Sequence, residues 1–503
     1  MPMSEAHVKS RQVSTFHLVG RTALIGIAYL VRVAGLTAQG LWRDEVDQWR
    51  FAFQSWPELL GNFTRSGWNG PLYSPLLRTW IALTGESVYG MRYLSLLCGV
   101  LAVPLFYVLA RRLRGARVAG LSALLLALSP YMVWYGQEIK MYAWLPLLVL
   151  LALYALERAC HQPNWGWWAV VLLGTTLAVY SHILAALLIP VLVLWFWLHP
   201  RRHRRAWIGG LVVISGLTLP YLPLLRWQAA LALMPRETGF AAHTLGQMMA
   251  VLLRSWSSGI FQGAWARPAS LRVMAGLFGL LTLAGFALLV FTGAARAALR
   301  CAAWLGLPLL AIWLVSLRGP IFTDRYLIWA APAFYMLIGV ALGQVWLWLG
   351  QWGLLAMLPL VVVAGHGLYA QAAHPIKPQF DLAVEVVRTH HSPSDILLFQ
   401  IPYNRHVFDF YAGGALGPWA EAPYSNWRRP DGTYKVDAAY VTRELRPLVS
   451  GYDRVWLVYS EFSLWDEREL VRQWLDEHYH HRQTWPFAGV TLLLYERPPQ
   501  AGR

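Results

Sequence analysis

The sequence predicts a mainly α, polytopic membrane protein of about eleven transmembrane helices, followed by a small α/β domain outside the membrane. Three observations carry that expectation. The 503 residues are 57% hydrophobic and only 14% charged, a balance that ordinary soluble domains do not have. The apolar residues come in runs close to the roughly 20 that a spanning helix needs. From about Pro375 the composition changes to short apolar runs set among amphipathic patterns. The 28 tryptophans and 23 tyrosines suit a chain with much surface at membrane interfaces, where amphipathic rings settle.

The runs that read as spans are 18–38, 88–109, 117–135, 142–160, 165–181, 183–199, 206–226, 269–292, 302–317, 326–347 and 352–370. The formal charge of +16 does not indicate nucleic acid. Its bases fall in short clusters between apolar runs, as in Arg111-Arg112-Leu113-Arg114 and Arg201-Arg202-His203-Arg204-Arg205, the pattern of cytoplasmic loop anchors. Lys9, Arg11 and Arg21 flank the start of the first span, and the connections 110–117, 199–205 and 293–300 are basic. These features place the N-terminus in the cytoplasm and, with an odd number of spans, the C-terminal domain outside. The first apolar run lacks a small-residue cleavage site and reads as a retained signal anchor. Cys98, Cys160 and Cys301 lie in or beside apolar runs, without metal-ligand spacing or a disulfide framework. Two domains follow: a transmembrane module over 1–373 with a large first outer loop at 39–87, and a soluble extracytoplasmic domain over 374–503.

Acids test the topology independently, because they contribute little to it. Before residue 374 there are ten, and all but Glu5 and Glu157 fall at the outer face. Beyond it, runs such as 395–399, 455–459 and 490–495 are rich in β-branched and aromatic residues and read as strands. Helical patterns at 379–390 and 466–479 lie between them. No internal repeat is evident.

The residues with chemistry to offer sit in the outer connections. Arg43-Asp44-Glu45 follows the first span. A carboxylate there has water on one side and low-dielectric protein on the other, which suits a general base. The plain alternative is a solvated acidic loop, as for Asp47. Further along, Asn69-Gly70-Pro71-Leu72-Tyr73 is apolar and proline-punctuated. The second outer connection, Gln137-Glu138-Ile139-Lys140-Met141-Tyr142, interleaves polar and aromatic residues. It reads equally as a phosphate-sugar or metal contact and as an interfacial belt with snorkelling charges. His182 stands at an outer helix end; a lone histidine there is either a hydrogen-bonded structural residue or, if it meets Glu138, half of a divalent-metal site. Arg325 and Tyr326 open a late span, where arginine can fork onto phosphate oxygens or simply pair with Asp324.

Taken together these stretches resemble the GT-C superfamily of membrane glycosyltransferases, which includes protein O-mannosyltransferases and aminoarabinose transferases. Leu41-Trp42-Arg43-Asp44-Glu45 is similar to the Asp-Glu motif of the family's first outer loop. Gly70-Pro71-Leu72-Tyr73 resembles its His-Pro-Pro-Leu-Tyr segment, with Asn69-Gly70 where His-Pro is usual. Gln137-Glu138-Ile139-Lys140-Met141-Tyr142-Ala143 resembles a block in which arginine is common at the position of Lys140. Asp324-Arg325-Tyr326-Leu327 resembles its Arg-Tyr-Leu block, and Pro402-Tyr403-Asn404-Arg405 is reminiscent of outer α/β domains in bacterial members.

The resemblance implies a polyprenyl-phosphate-sugar donor, inversion at the anomeric carbon, Asp44 as general base with Glu45 beside it, and no certain cofactor. Arg43, Lys140, Arg325 and Tyr326 become candidates for the donor phosphate, with Tyr73, Glu138, Tyr142 and His182 completing the site. The acceptor is a glycan, lipid or protein, and the location a bacterial inner membrane. A lipid-carrier flippase or a non-catalytic assembly protein is the alternative. A transporter, however, should place ionisable groups at the bilayer midplane and show repeat symmetry.

Overall fold

The computed structural model describes residues 20–63, 69–162, 164–199, 205–217, 240–260, 268–429 and 431–498. Lys9, Arg11, Arg201, Arg202, His203, Arg204, Glu237 and the second half of the span expected at 206–226 lie outside them. The chain divides into two compact units that are not contiguous in sequence. Thr37–Arg50 packs with Ala373–Arg503, while Met1–Leu36 and Phe51–Ala372 form the other unit. Part of the stretch read as a first outer loop thus belongs with the C-terminal segment.

The larger unit is helical. Among the described residues five segments are long and apolar enough to cross a membrane: Val88–Leu128, Trp144–His161, Leu271–Phe291, Ala295–Ser316 and Asp324–Ala373. Trp165–Ser181, Ile183–Trp197 and Arg205–Leu217 are shorter apolar helices. The expected spans map onto these unevenly. The runs 88–109 and 117–135 meet in one 41-residue helical segment, which if straight would be roughly 60 Å long, twice the hydrocarbon core of about 30 Å. Gly115 breaks it, at φ 83° and ψ 174°, a conformation that glycine adopts without a Cβ penalty. The second run stops at Leu128 rather than continuing to 135. Pro130 starts a separate short helix, Pro130–Gly136, and Ser129 caps it by accepting a hydrogen bond from the Met132 amide. The span expected at 302–317 begins earlier, at Ala295. The last two expected spans are each preceded by a 3-10 turn, at Asp324–Ala330 and Gly350–Met357.

One charge inside this unit is structural. Arg32 is 1% exposed, and its guanidinium donates to the carbonyls of Ala28, Leu126 and Ala127. Two of these are orphan carbonyls at the end of the Val88–Leu128 helix, which a cation satisfies twice over, by hydrogen bonding and through the helix dipole.

The smaller unit is built on a five-stranded sheet of order β2-β1-β3-β5-β4. The strands are β1 Asp395–Phe399, β2 Trp419–Glu421, β3 Arg454–Tyr459, β4 His480–Phe487 and β5 Val490–Glu496. β1 pairs in parallel with β2 and β3, and β5 is antiparallel to both β3 and β4. On one face Ile396, Leu398, Val455 and Leu457 pack with Val441, Leu445, Val471 and Leu475. On the other, Phe399 meets Phe408, which meets Phe380. Coverage on both faces explains why β1 is buried along its whole length and reads as a continuous apolar run. β2 and β4 are absent from the sequence reading for physical reasons. β2 has only three residues, and β4 is an exposed, polar edge containing Pro486.

Candidate functional site

Within the helical unit, three distant stretches meet. Gln137 anchors the second connection by donating to the carbonyls of Arg32 and Ala34. Lys140 follows in a tight turn, its amide bonded to the Glu138 carbonyl at 2.8 Å. Its carbonyl accepts from Ser95 Oγ at 3.2 Å, and Ser95 in turn meets the Tyr73 hydroxyl at 3.1 Å. Tyr73 is therefore a buried fastening between helices. The stretch before it lies against the chain at Tyr180. Leu72 donates to the Tyr180 carbonyl, and a Cβ on Gly70 would come within 1.8 Å of that oxygen. The departure from proline at position 70 follows from this close approach.

His182 lies two residues beyond, between the apolar helices, and is 1% exposed. Its ring sits 4.9 Å from that of Tyr326 and 6.3 Å from that of Tyr142, while the Arg325 guanidinium lies 5.8 Å over Tyr142. Asp324 accepts from the Arg325 amide and so holds the start of the 3-10 turn. His182 Nδ1 accepts from the Leu184 amide, which places the ring proton on Nε2, and Nε2 has no hydrogen-bond partner among the described residues. Burial, reinforced by the charges of Arg325 and Lys140, pushes His182 down to about 3, so the ring is a neutral N–H donor at physiological pH. Lys140 is 7% exposed and forms no ion pair among the described residues. Glu138 is buried as well. Topology gathers Asp44 with Glu138, His182 and Arg325 at one outer face; within the helical unit Tyr142, His182, Arg325 and Tyr326 lie together with Lys140 near enough to act on His182, while Asp44 belongs to the other unit.

Arg43, Asp44 and Glu45 lie in the other unit, where the expected loop is a helix, Arg43–Ala52, with both acids in its first turn. That position favours negative charge through the helix dipole. The preceding residues are clamped. Gln39 donates to the His374 carbonyl and accepts from the amides of Ile376 and Lys377. The Leu41 amide donates to the Tyr411 hydroxyl. Glu45 is fully buried, with Lys377 Nζ 2.7 Å from its carboxylate. It anchors the helix, because a buried, neutralised carboxylate has no path to a solvent-borne acceptor. Arg43 reaches Glu461 at 3.2 Å. Asp44 is half-buried. Asp47 pairs with Arg50 one turn on.

Sequence reasoning missed the groups at the carboxyl ends of β1 and β3, where the parallel order changes side and open α/β sheets bind ligands. Gln400 is fully buried, and among the described residues neither amide atom has a partner. Asn404 Nδ2 donates to Ser460 Oγ at 2.7 Å while its Oδ1 is unsatisfied. Glu461 sits in the left-handed region at φ 44°. The run Pro402-Tyr403-Asn404-Arg405 was visible in the sequence, but the burial of its amide was not.

With Nδ1 accepting from the Leu184 amide and the proton on Nε2, His182 offers no free lone pair to a metal beside Glu138. The three-donor cluster found among the described residues lies elsewhere in the helical unit, at Glu157, His161 and His199.

Residues 69–227 match the family model described as dolichyl-phosphate-mannose-protein mannosyltransferase. Over 233 residues the chain is 30% identical to an undecaprenyl phosphate-alpha-4-amino-4-deoxy-L-arabinose arabinosyl transferase of Pseudomonas aeruginosa, covering 43% of this chain and 40% of that one. The matched region is thus about two fifths of the relative's length. The fold is similar to that of ArnT from Cupriavidus metallidurans in the apo state, with a TM-score of 0.56 at 14% identity over 96% of this chain and 98% of that one. It is also similar to the oligosaccharyltransferase AglB of Archaeoglobus fulgidus in complex with an inhibitory peptide and a dolichol-phosphate. There the TM-score is 0.57 at 13% identity, over 96% and 75% of the two chains.

Proposed function

For a chain with the fold of the GT-C membrane glycosyltransferases, we propose the transfer of a sugar from a polyprenyl-phosphate-linked donor to an acceptor at the extracytoplasmic face of a bacterial inner membrane. The observation that carries this reading is a group of anion-seeking side chains in the helical unit: buried Lys140, half-buried Arg325 and the neutral N–H of buried His182. Lys140, 7% exposed, forms no ion pair among the described residues and stands near Arg325 and the His182 N–H, which has no hydrogen-bond partner among them. Burying a cation in this way is costly unless an anion completes it, and a lipid phosphate at headgroup level is such an anion. The names of the relatives, which include undecaprenyl phosphate and dolichol-phosphate, support the same chemistry.

In this reading Lys140 and Arg325 neutralise the phosphate as the bond from the anomeric carbon to the phosphate oxygen breaks. The electron pair leaves with the phosphate, and His182 Nε2–H donates to the developing charge. Tyr142 and Tyr326 wall the group, with Glu138 beside them. Asp44 is the proposed general base, taking the proton of the acceptor hydroxyl or amine as that atom bonds to the anomeric carbon with inversion. Glu45 keeps Asp44 in place through Lys377, and Arg43 does the same through Glu461.

The experiment uses purified protein in nanodiscs with undecaprenyl phosphate carrying a labelled sugar, and reads acceptor-dependent release of undecaprenyl phosphate. Asp44→Asn should lower the rate by about 100-fold or more with an unchanged circular-dichroism spectrum. Transfer by that variant at near wild-type rate would sink the assignment.

A further inference from the structure

The helix Trp144–His161 leaves the candidate site at its N-terminal end and is 18 residues long, so its far end lies about 27 Å away. A second group of ionisable side chains gathers there. Glu157 and His161 are four residues apart on one helix face, and His199 follows the end of the helix Leu188–Trp197, its amide bonded to the Phe196 carbonyl. One donor atom from each of the three lies within 4.8 Å of the others. From these residues we infer a binding site for a single zinc-like divalent cation, remote from the sugar-transfer site.

Four features support it. First, the two oxygens of Glu157 have different partners. Oε1 accepts from Trp195 Nε1 at 2.5 Å and from Arg300 at 2.9 Å, while Oε2 faces His199 Nε2 at 3.3 Å. The donors on Oε1 orient the carboxylate and leave Oε2 directed at the histidines, as groups behind a metal ligand do. Second, the His161 tautomer is set. Its Nδ1 lies 2.8 Å from the Glu157 carbonyl; a carbonyl can only accept, so the proton is on Nδ1 and Nε2 carries the lone pair. Third, the two imidazoles already approach each other, with ring centroids 4.7 Å apart and nearly perpendicular. Fourth, all three ligands stand at the C-terminal ends of helices, where the dipoles favour a cation. That partly offsets the nearby charge of Arg300.

Two histidines and a carboxylate are a familiar donor set for zinc, which binds nitrogen and oxygen at about 2.0–2.1 Å in a tetrahedron whose fourth position water can take. Ligand atoms in such a tetrahedron are about 3.3 Å apart, so the set must contract on binding. His161, the exposed member, is free to supply that movement, whereas Glu157 and His199 are buried. A bound cation would tie the Trp144–His161 helix to the segment at His199, and through the Glu157–Arg300 pair to the helix Ala295–Ser316.

The test needs no knowledge of substrate. Full-length protein in detergent is stripped with EDTA, dialysed against micromolar Zn2+, and its metal content measured by mass spectrometry. Thermal unfolding is followed with and without Zn2+. Wild type should retain one more zinc per chain than His161→Ala, which changes an exposed side chain, and than His199→Ala. Its unfolding temperature should rise with Zn2+, while His161→Ala should not respond. Zinc that binds other surface histidines is common to wild type and variant and cancels in the difference. Equal metal content in wild type and His161→Ala, whether both bind zinc or neither does, overturns the site.

Discussion

The two ends of the helix Trp144–His161 carry opposite solutions to the same problem. At its N-terminal end Lys140 has no ion pair and the His182 N–H no hydrogen-bond partner among the described residues, although Glu138 is buried in the same stretch. At its C-terminal end Glu157 is buried and heavily satisfied, holding Arg300, Trp195 and His199 around one carboxylate. A cation and a neutral N–H donor without ion-pair or hydrogen-bond partners among the described residues, placed where the helix dipole favours an anion, suit an anionic ligand. A carboxylate surrounded by donors, at the end where the dipole favours a cation, describes a clamp between helices that a metal can complete. Buried charge alone does not distinguish ligand binding from structure; the inventory of partners does.

The comparison can be broken at either end, and the largest effect belongs to the clamp. Glu157→Gln strips Arg300 of its counter-charge inside the protein and should destabilise by about 3–5 kcal/mol. Adding Arg300→Met to it should recover most of that loss, as measured by thermal unfolding in detergent. If Glu157→Gln unfolds like wild type, the cluster is not a clamp. At the other end, Lys140→Met removes a cation that has no partner to strand. It should leave the unfolding temperature within a few degrees of wild type while lowering sugar transfer roughly 100-fold, about 2.7 kcal/mol of lost transition-state stabilisation. A large stability loss with unchanged transfer would reverse the roles assigned to the two ends.

Over the range pH 7 to pH 5 the smallest effect is at His182, about 2 kcal/mol. Its folded-state value near 3 lies below the ordinary 6.5, so the unfolded chain binds the extra proton first. Stability should therefore fall as pH drops from about 6.5 toward 3, by at most about 1.4 kcal/mol per pH unit. His182→Gln should flatten that decline between pH 7 and pH 5. An identical decline in wild type and variant would mean that His182 protonates freely, and that its environment is wetter than its burial implies.

Much of this molecule was legible before its fold. The described parts of the apolar runs are largely helical, five segments among them long enough to cross a membrane, and the runs 395–399, 455–459 and 490–495 became β1, β3 and β5, because each buries both faces and so announces itself by composition. The stretches around Lys140, His182 and Arg325 stand out in the sequence as polar interruptions between spans, where an interfacial belt, a structural histidine or an Arg325–Asp324 pair reads as readily as a site. Other features had no local signal. Glu45 looked like a second catalytic acid until Lys377, 332 positions later, was found on its carboxylate. Glu157 was set aside as one of two acids off the outer face, and its partners Trp195, His199 and Arg300 are equally remote in sequence.

The sequence by itself determined which segments are apolar, where strands and helices alternate, and which few ionisable residues interrupt the spans. Hydropathy and periodicity are sums over neighbours, and a single chain contains them in full. Only the tertiary structure decided which charge meets which. Pairing of Glu45 with Lys377 and grouping of residues 37–50 with the C-terminal segment are facts about remote partners. The cost of a buried charge depends on those partners rather than on the residues beside it in the chain.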